Sequence, residues 1–314
     1  MLYIIVNPAS KSGKGIQIWH EVVTILHEKA IEYKAFKTRL DFDATTITRK
    51  IFEKDTSSLI RIIALGGDGT INEVIQGIPE DSFKRALVGY LPTGSSNDLA
   101  RDFGCSSDYI KNFEHLINSD NFRLMDLGRL HYNSCDAKNL PDRYFAVSCG
   151  IGFDASVCHE ALNSSLKNSF NKAQNGKLTY SAICLKQLMF IEKSTCTITI
   201  DDGAPMKYDK CYFVTMMNHR YQGGGIMFCP DAVDNDGYLD ICYAHTISKA
   251  RAISILPYAF KGKHVGKDGI VITKASTINI KTDIPLYVHT DGEVKTKATD
   301  ITVTCIKEKL RFII

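Results

Sequence analysis

The residues best suited to chemistry form one short run, Gly66-Gly67-Asp68-Gly69-Thr70-Ile71-Asn72-Glu73, set between an apolar strand and a helix. Adjacent glycines let the backbone approach a bulky anion where side chains would clash. N–H groups at a helix start make a ready phosphate site. Asp68 and Asn72 add polar atoms that a plain strand-to-helix turn does not need. No GK[ST] follows, which excludes a Walker A loop, and the spacing does not fit the GxGxxG of a dinucleotide fingerprint. Two further loops have the same character: Asn7 to Gly15, reading NPASKSGKG, and Leu91 to Asp98, reading LPTGSSND. Either alone is a weak signal, since Ser96 or Asn97 would serve equally as a helix cap. Three such loops at the ends of neighbouring strands predict one nucleotide crevice.

Those loops need a scaffold that brings strand ends to one edge. Residues 1 to about 126 read as alternating strands and helices: strands over Leu2–Val6, Tyr33–Thr38, Leu59–Leu65 and Ala86–Leu91, helices over Gly15–Ala30, Ala44–Glu53, Thr70–Gly77, Ser96–Phe103 and Asp108–Ile117. Ile16, Trp19, Val22, Val23 and Leu26 recur at helical spacing. This alternation predicts an α/β domain with a mostly parallel sheet covered on both faces, whose ligands sit beyond the carboxyl ends of the strands. From about 127 to 306 short strand-like runs take over: Tyr144–Ser148, Thr195–Asp201, Tyr212–Met217, Leu239–Tyr243, Thr277–Lys281, Leu286–His289 and Ile301–Lys307. Asp-Gly turns separate several of them, which predicts an all-β sandwich interrupted by helices near Ser156–Leu166 and Leu178–Ile191.

Composition narrows the function classes. The 314 residues are enough for two domains, and 38 basic against 35 acidic side chains leave a net charge of +3. That balance argues against nucleic acid as a partner. The 10 cysteines contain no CxxC pair, so zinc ribbons and thioredoxin chemistry are not supported, and reduced cytosolic cysteines are expected. The N-terminus MLYIIVNP lacks a basic leader, and no stretch approaches the roughly 20 apolar residues that span a bilayer. A cytoplasmic protein is the expectation.

Taken together, NPASKSGKG, GGDGTINEV and LPTGSSNDLAR resemble the diacylglycerol kinase catalytic family, which includes sphingosine and ceramide kinases and bacterial soluble lipid kinases. Gly150-Ile151-Gly152-Phe153-Asp154-Ala155, Asp236-Gly237-Tyr238-Leu239-Asp240 and Asp291-Gly292-Glu293 continue the resemblance in family order. GGDGT alone is shared with NAD kinases and resembles the phosphofructokinase turn. The resemblance implies a phosphofructokinase/NAD-kinase-like α/β domain at 1–126, with 307–314 returning to it, and a β-sandwich lipid-substrate domain at 127–306. It implies ATP as substrate, bound through Asn7, Thr38, Gly66, Gly67, Asp68, Gly69, Thr70, Asn72, Glu73 and Ser95. Lys14 is a candidate phosphate contact, with a solvated surface lysine as the alternative. The family's LPxGTxND carries threonine where Ser95 stands; serine keeps the hydroxyl and loses the methyl.

Phosphoryl transfer needs charge neutralisation, usually by Mg2+, which takes carboxylates and retained water. Asp68, Asp98 and Asp126 are the candidates, and the resemblance places them in one catalytic metal network. The base should accept a proton from the lipid hydroxyl. The resemblance gives that role to Glu293 with Asp291 in support, although Asp-Gly is also an ordinary hairpin turn. A second, structural magnesium is implied at Asp236, with the carbonyls of Val233 and Tyr238. The implied partner is a lipid substrate at a membrane surface, reached peripherally, with diacylglycerol the expected acceptor and a homodimer allowed. Arg251–Lys267 reads either as an amphipathic basic membrane stretch or as a core-packing helix. Tyr221–Phe228 could line or cover a lipid cleft, while His219 and His289 lie near site loops with core or surface roles expected. An NAD kinase and a non-enzymatic lipid or nucleotide sensor are the alternative readings.

Overall fold

The computed structural model describes residues 1–94, 96–106, 108–134, 137, 139–163, 176–191 and 193–313. The chain forms two compact units, Met1–Met125 with Glu308–Ile314, and Asp126–Lys307.

The first unit is built on strands β1 (Leu2–Val6), β2 (Tyr33–Lys37), β3 (Ile60–Gly66) and β4 (Ala86–Pro92). They pair in parallel in the order β2-β1-β3-β4. The chain's last strand adds to this edge, pairing Arg311 with Leu87 and Phe312 with Val88. Continuous burial of β1 and β3 is what a sheet covered on both faces requires. Helix α1 (Gly15–Glu28) lays Ile18, Trp19, Val22 and Leu26 on Leu2, Ile4, Val6, Ile63 and Leu65. Each such aliphatic side chain contributes about 1.5–3 kcal/mol on burial. Helix α2 (Ala44–Lys54) starts at Asp43, whose carboxylate accepts the Thr46 N–H at 2.8 Å. Helix α3 (Asp68–Gly77) leaves β3 directly through Gly67. Helices α4 (Asp98–Asp102) and α5 (Tyr109–Asn118) complete the unit. Because the strands run parallel, Asn7, Thr38, Gly67 and Thr93 all follow carboxyl ends on one edge. Backbone bonds join these ends: Asn7 N–H to Leu65 O at 2.8 Å, Thr38 N–H to Val6 O at 2.8 Å and Thr93 N–H to Gly66 O at 2.7 Å.

The second unit is antiparallel. Strands β7 (Ser148–Gly152), β10 (Phe213–Met217), β11 (Leu239–Ala244) and β12 (Ile270–Ala275) pair in sequence, and β13 (Thr277–Thr290) joins β7, β8 (Ser194–Ile200) and β14 (Glu293–Ile313). Alternation sends one set of side chains to each face. Val214, Met216, Ile241 and Tyr243 enter the core between strands. Tyr212, Met217, Cys242 and Ala244 pack beneath helices α6 (Phe153–Asn163), α7 (Gly176–Phe190) and α8 (Lys249–Ala259). The helical reading near Ser156–Leu166 and Leu178–Ile191 thus corresponds to α6 and α7; residues 164–175 lie outside the described part.

Three strands escape the sequence reading: β5 (Phe122–Tyr132), β9 (Met206–Cys211) and β12. In β5, Asp126 and Gly128 read as turn residues. Gly128 is there because a side chain would overlap the Phe145 ring, whose Cζ would lie 1.8 Å from a Cβ. Strand β9 is mostly exposed and charged, so its alternation is silent. The run Tyr144–Ser148 divides into β6 (Arg143–Phe145) and β7. Conversely, Thr277–Lys281 and Leu286–His289 are one strand with a register shift between them.

Candidate active site

In the first unit the three loops form one structure. Gly67 and Gly94 meet backbone to backbone: a Cβ on Gly94 would lie 2.5 Å from the Gly67 Cα. A Cβ on Gly66 would lie 2.2 Å from the Thr70 hydroxyl. Gly69, by contrast, faces open space, with nothing within 4 Å of an added Cβ. At the start of α3 the Thr70 and Ile71 N–H groups donate to Gly67 O at 2.9 and 3.3 Å, and the N–H groups ahead of them are those a helix start presents outward.

Side chains fasten this cradle. Asp68 accepts the Asp98 N–H at 2.9 Å through Oδ2 and the Leu99 N–H at 3.4 Å through Oδ1. The Tyr90 hydroxyl lies 3.3 Å from Asp68 Oδ1 and 3.1 Å from Asn97 Oδ1. Burial, then the Asp68 charge, pushes the Tyr90 phenol well above its ordinary value, so it serves as a donor. Asn97, in a left-handed conformation, closes on Gly94 through its amide, accepting at 2.9 Å and donating at 3.0 Å. Asp98 is buried and pairs with Arg101 at 2.7 Å. Asn7 Nδ2 donates to the Thr70 hydroxyl at 3.1 Å, and the Ser10 and Thr93 hydroxyls meet at 2.8 Å.

Several expected nucleotide contacts therefore face inward. Thr70 holds Asn7, Asn72 is fully buried, and Glu73 accepts the Ala44 N–H at 3.1 Å, at the start of α2. Thr38 follows β2 and is half-buried, and Lys14 is exposed just ahead of α1. Ser95 lies outside the described residues.

The second unit holds the remaining candidates. Asp291 and Gly292 form a two-residue hairpin turn between β13 and β14, both at positive φ, 47° and 84°. That is the geometry Asp-Gly favours in hairpins. Asp291 is a clamp: its carboxylate accepts the N–H groups of Ala146 at 2.8 Å, Val147 at 2.8 Å and Ser148 at 2.9 Å. Glu293 opens the returning strand, one quarter exposed, with Arg143 at 3.1 Å and Lys295 at 3.2 Å. Arg143 also donates to the Thr290 hydroxyl at 3.0 Å, tying both sides of the turn. Sequence reasoning missed Arg143, which sits in a three-residue strand with no motif around it.

Asp126 is fully buried on β5, where this unit begins. Its Oδ2 accepts the Gly237 N–H at 2.7 Å and its own N–H donates to Asp234 O at 2.7 Å. Burial, followed by the Asp126 charge, pushes the neighbouring Cys305 thiol to about 12. The expected ligands of a structural magnesium, Asp236 and the carbonyls of Val233 and Tyr238, lie on the same loop as Asp234 and Gly237. Asp236 pairs with Lys274 at 2.6 Å and accepts the Tyr238 N–H at 3.0 Å, and Lys274 also lies 3.5 Å from the buried Asp240. Among the described residues no group of three or more His, Cys, Asp or Glu is arranged to hold a metal.

Comparison with known proteins agrees with this anatomy. Residues 1–130 match the model of the diacylglycerol kinase catalytic domain, and residues 147–314 match that of the YegS C-terminal NAD kinase beta sandwich-like domain. The chain is 27% identical to "Putative lipid kinase YtlR" of Bacillus subtilis (strain 168), covering 93% of each protein. It is 28% identical to the "Diacylglycerol kinase" of the same strain, over 92% of this chain and 88% of that one. A solved structure described as "A putative diacylglycerol kinase from Bacillus anthracis str. Sterne" superposes with a TM-score of 0.75 at 23% identity, covering 99% of this chain and 96% of that one. With an N-terminal catalytic domain and a C-terminal sandwich both matched, the chain belongs to the diacylglycerol kinase catalytic-domain family, in the branch that carries the YegS-type C-terminal domain, and is a kinase.

Proposed function

We propose that the protein transfers the γ-phosphate of ATP to the free hydroxyl of diacylglycerol, giving phosphatidic acid and ADP. The observation that carries this reading is the glycine cradle, in which Gly67 and Gly94 touch and Gly69 opens to space. It suits backbone recognition of phosphates at the start of α3. Asp68 and Asp98 would supply oxygen donors of the type magnesium takes, Asp98 exchanging its Arg101 partner for the ion. When bound, magnesium neutralises charge on the transferring phosphoryl group. Glu293 is the base: it takes the hydroxyl proton as that oxygen bonds to phosphorus and the bond to the ADP oxygen breaks. Arg143 and Lys295 orient it, and Asp291 holds its turn.

For the lipid, the second unit contains a small apolar cavity of about 50 Å3, bordered by Phe153, Leu188, Phe213, Phe228, Leu256 and Ile270. Its lining suits an acyl chain. Phe228 comes from the loop expected to serve a lipid cleft, and Leu256 from the basic stretch, which is helix α8. Leu185, Met189 and Phe190 of α7 and Tyr258 of α8 are exposed, beside Lys186 and Lys249. Such a face suits peripheral docking from the cytoplasm on a membrane. No helix among the described residues is long and apolar enough to cross one.

The test is phosphorylation with labelled ATP across diacylglycerol, phosphatidylglycerol, ceramide and sphingosine micelles. Label in extractable phosphatidic acid supports the proposal. Label in aqueous NADP instead would establish an NAD kinase, and nucleotide binding without turnover a sensor.

A further inference from the structure

Behind the Asp291–Glu293 turn lies a buried polar pair. His289, fully buried on β13, places Nε2 3.1 Å from Asp154 Oδ2, and Asp154 is itself 2% exposed. The other ring nitrogen, Nδ1, receives the Gly292 N–H at 3.2 Å. A backbone N–H can only donate, so Nδ1 must present its lone pair and the ring proton must sit on Nε2. Asp154 accepts that proton and thereby fixes the tautomer. The Asp154 side chain also accepts the Ala155 N–H at 2.8 Å at the start of α6. Its place requires a glycine at 150: a Cβ there would lie 1.7 Å from Asp154 Oδ2. Gln222 Nε2 lies 3.2 Å from His289 Nε2; with the ring proton on Nε2, that amide must turn its oxygen toward the ring.

A hydrophobic side chain would fill this position in the core at less cost, because a buried polar pair must satisfy every atom. The arrangement instead delivers one acceptor to one N–H, that of the residue before Glu293. We infer that His289 is a positioning residue for phosphoryl transfer, holding the Gly292 peptide and so the start of the Glu293 strand, with Asp154 setting its tautomer. Asp291 fastens one side of the turn to residues 146–148 and His289 fastens the other to the core. The inference rests on the reading of Glu293 as the base.

The two ring nitrogens can be tested apart. Asparagine at 289 retains an acceptor near Nδ1 and loses the Nε2 donor; glutamine retains the donor and loses the acceptor. With the full chain and diacylglycerol micelles, His289→Asn should keep kcat within a few fold. His289→Gln should lose on the order of 10² in kcat, the scale of a misplaced catalytic group, with KM for ATP unchanged. Equal losses, or no loss in either variant, overturn the inference. Amide exchange supplies a readout independent of turnover: Gly292 should be protected in the unsubstituted protein and in His289→Asn, and exposed in His289→Gln. Ring nitrogen shifts of the unsubstituted protein should show the proton on Nε2, and the opposite tautomer refutes the assignment whether or not the variants fold. If the unsubstituted protein or Glu293→Gln contradicts the base reading, that reading falls, while exchange and tautomer still decide how the turn is held.

Discussion

Asp291 offers the sharpest separation of holding from reacting. Its carboxylate accepts three backbone N–H groups, and its own φ of 47° is a conformation glycine adopts freely. Replacing it by glycine therefore removes the bonds and at the same time relieves the backbone. At about 1.5 kcal/mol each, the low end for bonds to a charged acceptor and suited to a half-buried site, the three bonds contribute about 4–5 kcal/mol. Relief of the left-handed residue returns about 1 kcal/mol. Asp291→Gly should thus lose about 3–4 kcal/mol, or on the order of 6–16 °C in Tm for a unit of this size. Asp291→Asn should fall between the two, since its NH2 group must confront at least one of the facing N–H donors. Thermal unfolding by circular dichroism measures the first effect. Steady-state kinetics should show kcat lowered with KM for ATP unchanged, because the nucleotide cradle belongs to the other unit. An Asp291→Gly protein as stable as the parent would refute the clamp and the magnitude together.

Glu293→Gln should lower kcat by about 10²–10⁴ while Tm changes little, since its ion pairs are partly solvated and such pairs contribute about 0–1 kcal/mol; calorimetric ATP titration should show binding retained. Gly69→Ala should leave Tm unchanged and raise KM for ATP, because its Cβ meets no atom within 4 Å yet enters the open space of the cradle. Gly94→Ala should destabilise the fold itself, its Cβ lying 2.5 Å from the Gly67 Cα; equal Tm values for the two variants would contradict the geometry. For pH, hydrogen bonds from Ser57 and then from Tyr3 hold Asp55 near 2 against 3.8 unfolded. A depressed carboxyl stabilises the fold above its unfolded value and loses that contribution as pH falls toward 2. Asp55→Asn should flatten the acid limb of a Tm-against-pH profile over that interval, and an unchanged slope would dismiss the assignment.

The first unit was more legible in the sequence than the second, for a physical reason. Its strands β1, β3 and β4 are buried on both faces and its helices carry one apolar face each, so both periods are plain in the letters. β1 matches its expected bounds, and α2 and α3 are displaced by one or two residues at an end. In the second unit many strands have one solvated face or contain glycine and aspartate for packing reasons, as at Gly128 and Asp126. Burial of Asp126 by its own unit's loop was invisible for a related reason. A carboxylate that accepts a distant backbone N–H has the same letter as one that binds metal. The lysine on Asp236 lies 38 residues along the chain, beyond any spacing argument.

The three nucleotide motifs carry a further lesson about what a motif encodes. Most of their polar letters build the loop. Thr93 joins Ser10, Asn97 closes on Gly94, Asp68 holds the N–H groups that start α4, and Glu73 caps α2. A ligand would then be met chiefly by backbone, through glycines whose missing side chains let two loops touch. This explains why Gly94 has no substitute: space between two Cα atoms can be supplied only by the absence of a side chain. The same logic runs through the second unit, where Gly150 makes room for Asp154 and Gly292 presents an N–H to His289. In both units the glycines set the positions and the charged residues between them are held to those positions by backbone hydrogen bonds.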